Sequence, residues 1–287
     1  MKAIQRILKS IVIAVLFTGC SAVRLGYDQA DHLGYWWVDH YLDLSSDKSR
    51  QFKADLKALH AWHRQTQLPE YARLASEFSA RMSGETSSAE VCDNIQVFRE
   101  KFDLLSRQSV PVWARLAQQL GPEEINYLRK KFTQEDKDWK AKWLDADLDK
   151  IHDLRYEDWL RRTELFYGRL NHDQKKFIQQ AIVHSSWDPR ISWERRQQRQ
   201  QKIIATLEKI RLQRLNQSDA EAELTQLIEQ LLNPEEPKQA AMQRKVLDEA
   251  CINLAGLHQR TTASQRLHAS EKFSDYADDF RYLTRSR

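Results

Sequence analysis

Three groups of residues have the types and spacing that chemistry could use. His60 and His63 stand three apart, on one face of a helix, and could share a metal ion. Two imidazoles are too few, because zinc takes four protein ligands or three plus water, and no HExxH motif or nearby Cys or Glu completes the set. The pair is expected to pack or hydrogen-bond, with no metal and no cofactor. Asp145, Asp147 and Asp149 imitate the opening of a calcium loop. Lys150, however, stands where glycine must turn that loop, and Tyr156 where a bidentate Glu belongs, so a solvated helix face is expected instead. Arg190, Arg195, Arg196, Arg199 and Lys202 form the densest basic run. Arg195, Arg199 and Lys202 share one helical face and make a candidate anion-binding face. The alternative is a solvated surface, which the interleaved glutamines would suit.

Catalytic patterns are missing. Glycoside hydrolysis uses two flanking carboxylates, and nine tryptophans would suit a sugar polymer. Yet Trp139 and Trp143 fall at helical spacing, which favours core packing. The Glu-Ser motif of lytic transglycosylases, GxSxG and glycine-rich phosphate loops are all absent. A non-enzymatic binding or chaperone-like factor is expected. The rival is an envelope hydrolase acting on peptidoglycan or peptide.

Cys20 carries the strongest single signal. Lys2, Arg6 and Lys9 form a positive segment, Ile11 to Phe17 an apolar one, and Thr18-Gly19 place small residues before the cysteine. The order resembles a bacterial lipoprotein signal, cleaved to leave an acylated Cys20 as the N-terminus. Phe17 stands where that pattern prefers Leu. Ser21 rather than Asp after the cysteine implies delivery to the outer membrane, periplasmic face. An apolar run of seven is far short of the ~20 residues that span a bilayer. The remaining alternative is an ordinary secretory signal with Cys20 incidental.

With residues 1–19 removed, 42 basic residues face 41 acidic ones, so net charge gives no argument for nucleic acid. The partners expected are the membrane, through the N-terminal lipid, and envelope proteins or polymers. Two cysteines then remain, Cys92 and Cys251. Each lies beside an amphipathic stripe, and an even count in an oxidising compartment favours a bond between them over two buried thiols.

Seven Gly and six Pro among 287 residues, with abundant helix formers and no strand-like alternation, predict an all-α fold. The expected architecture is an elongated multi-helix bundle preceded by a cleaved lipoprotein signal peptide. It divides into a signal peptide (1–19), a lipidated tether (20–26) and a single helical domain (27–287). Ser45 or Ser46, Ser87-x-x-Glu90, Asn171, Asp188-Pro189, Ser218 and Thr261-Thr262 are predicted helix starts. Tyr27 to Leu44 is predicted to be a first helix packed on the bundle. Gly121-Pro122 is expected to open one long segment to Gly168, and Pro111 to interrupt or kink its helix. A faint repeat begins at Leu44, Leu120, Leu170 and Thr261. It is similar to the LTxxQ repeat of small helical periplasmic chaperones of the Spy type, although helix capping alone explains it.

Several stretches together resemble a proteobacterial lipoprotein family, domain of unknown function 6279. They are Cys20 to Tyr27, Tyr35 to Trp37, His60 to Tyr71, Leu165 to Asn171, Trp187 to Arg196, and Leu257 to Arg266. The resemblance implies an all-α envelope lipoprotein and brings no catalytic residues with it. Mass spectrometry of membrane-extracted protein should find lipid mass on a peptide beginning at Cys20. A free thiol there, or a Cys20→Ala protein still fully membrane-bound, would refute the signal.

Overall fold

A computed structural model describes residues 19–286. Residues 1–18, and so nearly all of the segment read from the sequence as a signal peptide, lie outside the described residues, as do the side chains of Cys20 and Ser21. Among the described residues there are twelve helices and no strand. They are α1 (Gly19–Asp28), α2 (Ala30–Leu42), α3 (Ser46–Thr66), α4 (Leu68–Arg81), α5 (Ser88–Gln119) and α6 (Pro122–Trp143), then α7 (Leu148–Tyr167), α8 (His172–Val183), α9 (Pro189–Leu212), α10 (Gln217–Leu232), α11 (Pro237–Gln259) and α12 (Ala263–Arg285). No helix among them is long and apolar enough to cross a membrane.

Local capping chemistry accounts for most of the starts. Ser87 and Glu90 form a reciprocal capping box, as do Asn171 with Gln174 and Thr262 with Gln265. Asp188 accepts from the Arg190 amide ahead of Pro189. The α10 start lies two residues before Ser218, where the Asn216 side chain accepts from the Asp219 amide. Two of the boxes meet: Gln174 Nε2 donates to Gln265 Oε1 at 2.7 Å, and Gln265 Nε2 donates back to Gln174 Oε1 at 3.1 Å. The same glutamines that cap α8 and α12 therefore clasp the two helix starts together. Between them, Gly168 ends α7 at φ +68°, a conformation that favours glycine.

Other elements depart from the sequence reading. The segment from Pro122 to Gly168 is two helices, broken at 144–147, and Asp147 occupies the extended backbone position ahead of α7. Asp145 and Asp147 thus lie at a turn rather than on a helix face, in keeping with the preference of short carboxylates for helix starts. Conversely, α5 runs unbroken through Pro111. Val110, Val112 and Ala114 around it are all buried, and Gln217 donates to the Pro111 carbonyl at 3.2 Å. Packing there offsets the missing backbone donor. The aromatic stretch is divided between α1 and α2; Val38 and Leu42 are buried, but Trp36 and Trp37 are 76% and 63% exposed.

Residues 20–26, read from the sequence as a tether, lie within α1, which docks on α3 and α12. Arg24 Nε meets Asp279 Oδ1 at 2.6 Å, Arg64 meets Asp28 at 2.6 Å, and the Tyr27 hydroxyl meets His63 Nδ1 at 2.8 Å. His63 also reaches the Tyr71 hydroxyl at 3.3 Å, and His60 lies against the Tyr27 ring. His63 therefore hydrogen-bonds, while His60 packs on the Tyr27 ring. Helix α12 lies along α4, where Ser79 and Ser270 exchange hydroxyl-to-carbonyl bonds at 2.8 and 2.9 Å. Phe273 joins this pair to α7 through Phe166, and Phe78 continues the contact to Phe98 of α5.

Cys92 of α5 and Cys251 of α11 are disulfide-bonded, with their Cα atoms 5.3 Å apart across 159 residues of sequence. Close to that link, the buried His258 connects three segments. Its Nε2 donates to the Gly84 carbonyl at 2.9 Å, which leaves Nδ1 to accept from the Tyr167 hydroxyl at 2.8 Å.

Two outcomes follow from these contacts. Replacing both cysteines by serine should lower unfolding stability by up to about 5 kcal/mol in the chain-entropy account, measured by urea denaturation. Asp279 supplies a pH test. Burial raises its carboxyl above the ordinary carboxylate range, and Arg24 offsets part of that rise. A folded pKa above the unfolded one means that the group's contribution to stability is full below the unfolded value and is lost as pH rises through the folded one. Arg24→Ala should therefore destabilise by about 2 kcal/mol near pH 8 and by much less near pH 4. Adding Asp279→Asn should abolish that difference in urea midpoints.

Candidate functional site

The buried apolar residues form separate clusters, and a cavity lies where two of them meet. One cluster gathers Val38, Leu42, Phe52, Leu116, Ile125 and Leu128 from α2, α3, α5 and α6. The other gathers Val110, Ala114, Ile210, Ala220, Leu224 and Leu227 from α5, α9 and α10. Ile203 and Leu207 of α9 pack against both. Between them opens a cavity of about 1070 Å³, walled by α2, α5, α6, α9, α10 and α11. That volume stands at the upper limit of ordinary small-molecule pockets, ~300–1,000 Å³.

Tryptophans line its length. Trp113 comes from α5 and Trp139 and Trp143 from α6, while Trp187 precedes α9. Trp139 stacks on Trp193 with ring centres 5.5 Å apart, and Trp143 meets Trp187 edge-on at 5.6 Å. The i, i+4 spacing of Trp139 and Trp143 thus marks a cavity wall rather than a filled core. Trp37, which lines the cavity while largely exposed, stands at an opening.

Helix α9 brings the charge. Arg196 Nε donates to Asp136 Oδ1 at 2.7 Å, and its NH2 group to Glu135 Oε2 at 3.1 Å. Gln197 and Gln200 add bonds of 2.7 and 2.9 Å to Asp136. Burial alone would raise the Asp136 carboxyl, but these donors hold it below the usual carboxylate range. Glu135 also accepts from the Tyr41 hydroxyl, whose pKa burial and this carboxylate push up to about 12. Arg196 is therefore neutralised by two carboxylates.

Arg195 and Arg199 are not. Arg195 donates to Gln243 Oε1 of α11 at 2.6 Å and to the Leu231 and Leu232 carbonyls at the end of α10 at 3.3 and 3.4 Å, all neutral acceptors. Neither arginine pairs with a carboxylate among the described residues. Burial and the charge of Arg199 make the Arg195 guanidinium easier to deprotonate than usual, while Arg199 itself is exposed. Both line the apolar cavity and also a polar pocket of about 140 Å³ beside it. Lys202, one turn on, lines that pocket as well and pairs with Glu235 at 2.9 Å.

The structure thus brings Arg195, Arg199 and Lys202 to one face, as their spacing predicts, and places that face at the rim of an apolar cavity. The sequence carried no sign of the cavity itself, because its walls come from six helices distant in sequence. No group of three His, Cys, Asp or Glu residues among the described residues could hold a metal ion. One carboxylate, Glu135, lines the cavity, and it is held by Arg196 and Tyr41.

Residues 40–236 match the sequence model of a family of unknown function, DUF6279. The matched range includes the stretches His60 to Tyr71, Leu165 to Asn171 and Trp187 to Arg196, together with most of the cavity wall; the stretches before residue 40 and after 236 lie outside it. No curated protein and no solved structure matches the chain. Since the match covers more than half of its length, this chain belongs to the DUF6279 family.

Proposed function

We propose that this protein works by binding an apolar or amphipathic ligand in the cavity between α2, α5, α6, α9, α10 and α11, as an outer-membrane-anchored lipoprotein of the periplasm. The single observation that carries the reading is the cavity: about 1070 Å³, walled by tryptophans and aliphatic side chains, and open beside Trp37. Apolar walls of that extent left facing water are unfavourable, and an apolar ligand that covers them gains by their burial. The Cys20 signal supports the envelope setting. Docking of α1 through Arg24 and Asp279 would hold the helical body against the lipid anchor.

A neutral apolar fluorophore, N-phenyl-1-naphthylamine, tests the reading. The full chain in mild detergent should bind about one equivalent with enhanced emission. Ala117→Leu, which adds bulk where a small buried side chain lines the cavity, should weaken binding at least ~5-fold while thermal melting confirms the fold. No saturable binding by the folded chain would refute the proposal. Release of peptidoglycan fragments, lost on replacing one carboxylate, would support the hydrolase reading in its place.

A further inference from the structure

We infer that the ligand is a diacyl phospholipid, its phosphate held between Arg195 and Arg199 and its acyl chains in the tryptophan-lined cavity. The inference rests on the binding function proposed above and adds the class of ligand.

Volume argues for two chains. At about 1070 Å³ the space stands at the top of the ~300–1,000 Å³ range of small-molecule pockets and has room for more than one acyl chain.

Charge argues for the phosphate. Arg195 and Arg199 lie four residues apart on one helix face, within reach of a single tetrahedral anion. The other charged groups nearby are already committed. Arg196 is matched by Glu135 and Asp136, and Lys202 by Glu235. Glu236 accepts from the Gln239 amide at 2.8 Å, at the start of α11. Arg195 and Arg199 thus form no ion pair among the described residues, and against the one unpaired carboxylate of the polar pocket, Glu236, they leave a net positive charge at the boundary between the apolar cavity and that pocket. A guanidinium presents a planar fork of donors suited to phosphate oxygens. The polar pocket, edged also by Gln198, Gln230 and Gln239, accommodates the rest of a head group.

Geometry also suggests the way in. Leu33, Trp36 and Trp37 share one face of α2 and are 57%, 76% and 63% exposed, and Trp37 stands at the cavity opening. Tryptophan and leucine displayed in this manner suit the interfacial region of a bilayer, where acyl chains could pass into the cavity.

Native mass spectrometry of the full chain in a maltoside detergent tests the inference with dipalmitoyl phosphatidylglycerol, dipalmitoylglycerol and palmitate. One phosphatidylglycerol per chain is expected, bound at least ~10-fold more tightly than dipalmitoylglycerol, which lacks the phosphate, or palmitate, which lacks the second chain. Arg199→Gln, which removes no hydrogen bond within the protein, should reduce that preference ~10-fold. Arg195→Gln/Arg199→Gln should abolish it. Equal affinity for phosphatidylglycerol and dipalmitoylglycerol, two palmitates bound as tightly as one phospholipid, or an unchanged preference in Arg199→Gln would overturn the inference. If the neutral fluorophore still binds in that case, the cavity reading stands and only the ligand class fails. If neither binds, both fail.

Discussion

Burying one side of α9 against α6 places the Arg196 guanidinium 2.7 Å from Asp136 and 3.1 Å from Glu135. An arginine so placed must find carboxylates, because an unpaired charge that is partly removed from water is costly. The pairing sets the rotation of α9 about its own axis. Once Arg196 points at α6, Arg195 is carried toward the end of α10, and Arg199 follows it one turn along. Ile203 and Leu207, further along the same helix, then reach both apolar clusters. The position of the cavity, its charged rim and its apolar wall all follow from this one orientation.

The ends of the chain are held by different means. Helix α12 lies along α4 through exchanged serine hydroxyl bonds and a run of phenylalanine contacts, and it carries Asp279 to Arg24 of α1. Arg64 donates to the Leu283 and Ser286 carbonyls at 3.3 Å, satisfying acceptors at the end of α12 while it also pairs with Asp28. The disulfide fixes α11 to α5 across the middle of the chain. The close approach of α11 to α8 depends on Gly256, where a Cβ would come within 3.0 Å of the Phe177 ring. These links constrain helices far apart in sequence, so the cavity walls need no continuous packed interior behind them.

The legible and the hidden parts of this molecule divide by the range of the interactions that make them. The all-helical class, the capping boxes at Ser87, Asn171 and Thr262, and the helix start at Asp188 are settled by contacts within about one turn, so residue types and spacings reveal them. The Cys92–Cys251 bond was legible for a different reason: parity and compartment left one pairing once Cys20 was set aside. The shared face of Arg195, Arg199 and Lys202 follows from helical periodicity alone. Their differing partners do not, since Glu135, Asp136, Gln243 and Glu235 come from other elements.

Where tertiary packing competes with local preference, the sequence reading went astray. Pro111 stays inside α5 because buried neighbours on both sides hold that helix against its own lost hydrogen bond. The stretch from Tyr27 to Leu44 is two helices and not one, and Val38 and Leu42 take the inward side of α2 while Trp36 and Trp37 stay largely exposed. The break at 144–147 passed unnoticed because its aspartates suit a solvated face and a helix start equally well. By itself the sequence determined the helical class and the helix caps and favoured the disulfide. Only the tertiary structure decided that five tryptophans from four parts of the chain line an open cavity instead of filling a core, because such a cavity depends on how six helices meet and not on the pattern of any one of them.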